Sequence, residues 1–230
     1  MKTIGLLGGM SWESTQLYYR IINEAVRTRL GGLHSAPIAM VSVEFAEIEA
    51  YQDAGEWGRA AEALAGAARR IERAGAEVLL ICSNTMHKVA EDVQRAVRIP
   101  LLHIADAVAE AIAGAGMKTV GLLGTRFTMD ETFYSDRLRL RHGLRVLVPP
   151  PPDRRVVDRV IFEELCRGVV EEESRAAFLR VIDALADRGA EGLILGCTEI
   201  GILVSQENTR IRLFDTTALH AEAAVAFALA

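Results

Sequence analysis

Apolar positions along this chain follow two alternating patterns. Short runs of Leu, Ile and Val, too brief for helices, are separated by longer stretches where Ala and Leu recur at three- and four-residue spacing among Glu and Arg. The short runs read as buried strands: Thr3–Leu7, Ile38–Val43, Val78–Cys82, Leu101–Ile104, Thr119–Leu123, Leu144–Val148, Leu193–Gly196 and Arg212–Phe214. The longer stretches read as helices, best defined over Ser14–Thr28, Gly58–Ala74, Asp106–Gly114, Asp153–Gly168 and Glu173–Arg188. Strands flanked by helices imply βαβ units and a mostly parallel sheet. The run Pro149–Pro152 cannot lie inside a helix or a central strand, so it reads as a stiff connector.

The pattern also repeats. Lys2-Thr3-Ile4-Gly5-Leu6-Leu7-Gly8 returns as Lys118-Thr119-Val120-Gly121-Leu122-Leu123-Gly124 with one change. Gly75–Thr85 aligns with Gly189–Glu199, and a weaker echo joins Ile99–Asp106 to Ile211–Thr217. The blocks keep their order and nearly their spacing, so a whole lobe is duplicated. The expected fold is α/β: two similar pseudo-symmetric lobes, each a mostly parallel sheet flanked by helices, with the active site in the cleft between them. Residues 1–115 plus 212–230 would form the first lobe and residues 116–211 the second. A C-terminal helix after Thr216 would return to the first lobe.

Composition narrows the function. A net charge of −5 and no concentrated Lys/Arg patch argue against nucleic acid. The apolar start runs into Trp12 and Glu13 without a small-residue cleavage site and reads as a first strand rather than a leader. No run is long enough to span a bilayer. Three widely spaced cysteines (Cys82, Cys166, Cys197) form neither a disulfide framework nor a metal pattern, which suits free thiols in a reducing cytoplasm. His34, His103, His142 and His220 show no metal-ligand spacing. Gly5-x-x-Gly8-Gly9 is neither a dinucleotide fingerprint nor a P-loop.

In a parallel α/β fold the strand carboxyl ends carry the ligand groups. Four segments fall there: Gly8-Gly9-Met10-Ser11, Ser83-Asn84-Thr85, Gly124–Thr128 and Cys197-Thr198-Glu199. Their backbone N–H groups can hold a carboxylate. Asn84, Thr85, Thr125 and Thr198 can bind an α-carboxylate and amino group, although such residues also cap helices. The repeat sets Ser83 opposite Cys197, one group from each lobe. That arrangement suits proton transfer on the two faces of one carbon, as in racemisation.

Cys197 is the stronger candidate for the chemistry. A helix N-terminus would lower its thiol toward neutrality; the competing reading is a small buried hydrophobe. Ser83 is a poor base on its own, with no histidine placed by sequence to activate it, so it either donates or relays a proton or lines the pocket. Cys82 is one position off and faces the other side of its strand. Cys166, in a helical stretch, reads as core.

With these motifs in place the chain resembles the aspartate/glutamate racemase superfamily. The resemblance rests on Gly-Gly-Met-Ser at the start, x-Asn-Thr-x-His at Ser83–His87 and Gly-Thr-Arg-Phe-Thr-Met at Gly124–Met129. Gly196-Cys197-Thr198-Glu199 and Phe214-Asp215-Thr216-Thr217 complete it. It is nearest the bacterial branch acting on L-aspartate and L-glutamate or on a broader set of amino acids. The resemblance implies a pyridoxal-independent amino-acid racemase with no cofactor or metal, a small amino-acid substrate and a homodimer. Catalysis would fall to Cys197 and Ser83. Substrate contacts would come from Met10, Ser11, Gln52, Asn84, Thr85, Thr125, Thr128, Thr198 and Glu199, with a supporting role for His87. Family members typically carry cysteine at both flanking positions, whereas this chain has Ser83 at one. Val43-Glu44-Phe45-Ala46 lacks the arginine that many aspartate-selective relatives place after the second strand. Two other readings remain: a single-cysteine decarboxylase of substituted malonates, and a non-catalytic amino-acid-binding protein.

Overall fold

Each of the eight short apolar runs forms a strand. A computed structural model describes all 230 residues, Met1–Ala230. The chain divides into two units, Met1–Ile104 with Thr217–Ala230, and Ala105–Thr216.

The first unit runs β1 (Ile4–Gly8), α1 (Trp12–Leu30), β2 (Ile38–Ser42), α2 (Phe45–Asp53), α3 (Trp57–Arg73) and β3 (Val78–Ile81). A 3-10 turn (Thr85–Val89), α4 (Ala90–Arg95) and β4 (Leu101–Leu102) follow. The sheet is parallel in the order β2-β1-β3-β4, with Ile4 paired to both Ile38 and Val78. β1 and β3 are buried at every position, as strands covered on both faces must be. β2, at the edge, is not.

From α5 (Ile104–Gly114) the chain enters the second unit. It continues with β5 (Thr119–Gly124), α6 (Arg126–Asp130), α7 (Thr132–His142), β6 (Arg145–Leu147) and α8 (Pro151–Glu163). After a 3-10 turn (Leu165–Arg167) come α9 (Glu172–Asp187), β7 (Gly192–Gly196), α10 (Ile200–Leu203), a second 3-10 turn (Gln206–Asn208) and β8 (Arg212–Asp215). This sheet is also parallel, in the order β6-β5-β7-β8. Position for position, that is the order of the first sheet. The repeated heptads are the central strands β1 and β5, and the second repeated blocks hold β3 and β7. The final helix, α11 (Thr216–Leu229), buries Ala221, Ala224, Val225 and Ala228 against Ile4, Leu6 and Cys82 of the first unit.

The proline run departs from the expected connector. Pro151 and Pro152 are the first residues of α8. Proline is tolerated there because the first-turn N–H groups have no intrahelical acceptor, and its fixed φ already suits a helix. The same helix ends earlier than its apolar spacing suggests. The backbone breaks at Glu164, and Gly168 closes the following turn with φ 72°. Cys166 therefore lies in a 3-10 turn rather than a helix, half-buried against the second unit's core. No helix is long and apolar enough to cross a membrane.

Candidate active site

The site residues are best taken unit by unit, starting with the turn after β1. Gly9 has φ +96°, and a Cβ there would lie 2.3 Å from the Val43 carbonyl oxygen, so only glycine fits this turn. Ser11 is the N-cap of α1, its hydroxyl accepting from the Ser14 N–H at 3.3 Å. Thr15 latches the turn: its Oγ1 donates to the Ser11 carbonyl at 2.8 Å and accepts the Gly9 N–H at 2.8 Å. Met10 and Ser11 are buried as a result.

At the end of β3, Ser83, Asn84 and Thr85 are all buried. Ser83 Oγ accepts from the Met86 N–H at 3.4 Å, a long bond that leaves its own proton available. Gln52, on α2, is buried beside this loop with its Nε2 3.0 Å from Met86 Sδ. His87 supports the loop from behind. Its Nδ1 lies 2.6 Å from the Ser83 carbonyl oxygen, and its Nε2 accepts the Ile104 N–H at 3.1 Å. A carbonyl needs a donor and an N–H needs an acceptor, so His87 is the neutral Nδ1–H tautomer. The bond runs to the Ser83 backbone. It fixes the position of Ser83.

A second buried imidazole stands behind the first. His220 Nε2 lies 2.9 Å from the Leu102 carbonyl oxygen, and Tyr18 Oη donates to its Nδ1 at 2.9 Å. Burial pushes its pKa down to about 4, against a smaller upward pull from the Leu102 carbonyl, so this ring is neutral too. The His87 and His220 rings lie 5.8 Å apart, and His87 and His103 lie 4.4 Å apart. Nothing in the sequence pairs Tyr18 with His220, which are 202 residues apart. The only clue was the echo of the closing elements just before α11.

In the second unit, Thr125 caps α6, its Oγ1 accepting from the Thr128 N–H at 3.4 Å and lying 3.3 Å from the Thr128 hydroxyl. Both residues are buried. At the end of β7, Cys197 is 8 % exposed and donates from Sγ to Glu199 Oε2 at 2.9 Å. Thr198 Oγ1 donates to the same oxygen at 2.7 Å. Burial raises the thiol pKa well above its ordinary value, and the Glu199 carboxylate and the neighbouring Cys166 raise it further. The expected lowering by a helix N-terminus is thus overturned. α10 is a single four-residue turn, and a buried carboxylate 2.9 Å away outweighs its dipole. Cys197 rests as a thiol whose proton already points at an acceptor.

Cys82 behaves differently from Cys197. It is fully buried in the first unit's core, and burial alone pushes its thiol far up. Its side chain packs with Val78 and Leu80, on the face of β3 covered by α1 and α11. No group of three or more His, Cys, Asp or Glu side chains is placed to hold a metal ion.

Comparison with known proteins decides the family. The model of the Asp/Glu/hydantoin racemase family matches residues 7–224. The chain belongs to this family. It is an isomerase of the racemase class. A solved structure of a candidate Asp/Glu racemase from Yersinia pestis is 53% identical, with a TM-score of 0.93 and 100% of both chains covered. An aspartate racemase homologue from Pyrococcus horikoshii is 35% identical, with a TM-score of 0.86 and the same full coverage. A broad-specificity amino-acid racemase from Bacillus subtilis is 21% identical over 99% of this chain and 98% of its own length.

Proposed function

We propose that the protein racemises a free amino acid without a cofactor, using Cys197 and Ser83 as the acid/base groups on opposite faces of Cα. The observation that carries this reading is the state of Cys197, a buried thiol at a strand end held 2.9 Å from a buried carboxylate. A structural cysteine needs no such neighbour, and the carboxylate is costly to bury without a use.

Substrate binding would bring an ammonium group into this environment. That positive charge favours the thiolate and offsets the repulsion from Glu199. The Cys197 proton passes to Glu199, and the thiolate then takes the Cα proton to leave an enolate-like carbanion. Ser83 delivers its hydroxyl proton to the opposite face and recovers one from solvent, while Glu199 releases the proton it received, which restores the Cys197 thiol beside a carboxylate. Asn84, Thr85, Thr125, Thr128 and Thr198 supply hydroxyl, amide and backbone donors for the α-carboxylate, and Met10, Ser11 and Gln52 shape the remaining wall. Ser83 in place of a second thiol makes the two faces unequal, because an alcohol ionises far less readily than a thiol.

The test is α-proton exchange in D2O followed by NMR over a panel of L- and D-amino acids. Deuterium should enter at Cα and both enantiomers should appear, with activity retained after dialysis against a chelator. Binding without exchange would reduce the protein to an amino-acid-binding role. Release of CO2 from a substituted malonate, with no exchange on any amino acid, would instead identify a decarboxylase.

A further inference from the structure

Behind Ser83 the first unit holds a line of buried polar groups that the proposed reaction does not use. It starts at Tyr18 on α1 and continues to His220 on α11, both fully buried. The Tyr18 hydroxyl donates to His220 Nδ1 at 2.9 Å, and His220 Nε2 donates to the Leu102 carbonyl at 2.9 Å. Two residues on, the Ile104 N–H donates to His87 Nε2 at 3.1 Å, and His87 Nδ1 donates to the Ser83 carbonyl at 2.6 Å. Every direction along this line is forced. A carbonyl only accepts and a backbone N–H only donates, so His220 is the Nε2–H tautomer and His87 the Nδ1–H tautomer. The phenol, able to act either way, is left to donate.

Apolar side chains of the same shape would fill this space without the cost of desolvating a phenol and two imidazoles. What the polar line adds is direction. Its middle bonds hold the junction of β4 and α5 on both sides of His103, at the Leu102 carbonyl and the Ile104 N–H. Ile104 opens α5, so its N–H has no intrahelical acceptor, and His87 supplies one. At its other end the His87 ring closes onto the carbonyl four residues before it, at the entry to the turn Thr85–Val89. Inside that closed segment the Met86 N–H donates to Ser83 Oγ at 3.4 Å. Such a donor favours the oxygen when it carries negative charge. The shape of the turn therefore bears on how readily Ser83 releases its proton.

We propose that Tyr18 and His220 are positioning residues for Ser83. Through Leu102, Ile104 and His87 they hold the turn so that the Ser83 hydroxyl is aligned to protonate Cα. This role rests on the reading of Ser83 as one of the two acid/base groups.

The partition of the carbanion tests it. In D2O, starting from the enantiomer whose α-proton faces Cys197, deuterium delivered by Cys197 labels that same enantiomer, and deuterium delivered by Ser83 gives the opposite one. The ratio of inverted to same-enantiomer label does not depend on the folded fraction or on KM, so a variant that is merely destabilised leaves it unchanged. Tyr18→Phe should lower this ratio by about tenfold, as a small misplacement of an acid group does. His220→Leu should lower it as far. His220→Gln, whose amide can still donate to the Leu102 carbonyl, should keep most of it. His87→Asn retains a donor for the Ser83 carbonyl but gives up the Ile104 bond, so Tyr18→Phe should have no further effect in that background. Nitrogen NMR of labelled imidazoles reads the line without reference to activity. It should show His87 protonated at Nδ1 and His220 at Nε2, each assigned by its loss in the corresponding variant. An unchanged ratio in Tyr18→Phe, a full further loss in the His87→Asn background, or the same tautomer in both rings would overturn the inference and leave the racemase reading standing. A native protein that exchanges no α-proton would overturn that reading and the inference with it.

Discussion

The two strand-end loops that the repeat aligns, Ser83-Asn84-Thr85 and Cys197-Thr198-Glu199, occupy the same position in sheets of the same order, yet they are supported by opposite chemistry. In the first unit the support is neutral. His87 holds the Ser83 carbonyl at 2.6 Å, and His220 stands behind it on Leu102 and Tyr18. In the second unit the support is a carboxylate bonded directly to the reactive group. Duplication thus supplied two equivalent positions. What differs is whether a proton acceptor sits within reach of the side chain, and only Cys197 has one.

The sharpest way to break this contrast is Cys197→Ala. For the enantiomer whose α-proton faces Cys197, exchange in D2O should fall by about 1,000-fold or more, the usual size of a lost acid/base group. Ser83→Ala should leave that exchange nearly intact. If both variants lose activity equally for both enantiomers, the two loops are not doing different jobs.

The neutral side of the contrast can be broken with acid. An unfolded histidine titrates near 6.5, while His220 in the fold titrates at about 4, so the unfolded chain binds the extra proton first. The stability that the neutral ring contributes is therefore fully present above pH 6.5 and is lost as pH falls toward 4. Between pH 7 and pH 5 this amounts to about 2 kcal/mol. Urea midpoints measured across that range should show the loss, and His220→Gln should flatten it. An unchanged slope would mean that the ring is not the group titrating.

Ser83→Cys should make the loops more alike. Wash-in of deuterium into the enantiomer facing Ser83 should rise by about tenfold, since a thiol ionises more readily than an alcohol, while wash-in into the enantiomer facing Cys197 stays as it was. The smallest effect sharpens the comparison from the other side. Glu199 both raises the Cys197 thiol and receives its proton in the proposed step, so Glu199→Gln should move the rising limb of α-proton exchange against pH to lower pH and lower its plateau, for the enantiomer whose α-proton faces Cys197. A limb that stays in place would remove Glu199 from the account.

Much of this architecture is present in the order of residues. The strands are short, apolar and bounded by helices, which leaves a parallel sheet as the way to satisfy their backbones, and repetition of the heptad shows that the arrangement occurs twice. The helices that escaped notice are those without an apolar stripe to detect. α7, Thr132–His142, buries only Tyr134 and Leu138, and α2 and α6 are short. The prolines of α8 misled because their effect depends on whether they fall inside a helix or in its first turn, a distinction local composition does not carry. Strand carboxyl ends are likewise legible, so Met10, Ser11, Ser83, Thr125 and Cys197 could be placed from the motifs alone.

The protonation of those residues is a different matter. It depends on distances between groups far apart in the chain and on how much water each retains, and neither is a property of residue order. Tyr18 meets His220 across 202 positions only because α11 packs back on the first sheet, and the His220 ring is neutral because that packing excludes solvent. Cys197 is two residues from Glu199, yet the sequence suggested a lowered thiol pKa and the fold produced a raised one. The sequence determined which groups stand at the strand ends. Burial and close approach in the tertiary structure decided which of them hold their protons, because the cost of a charge is set by the medium and neighbours that folding creates.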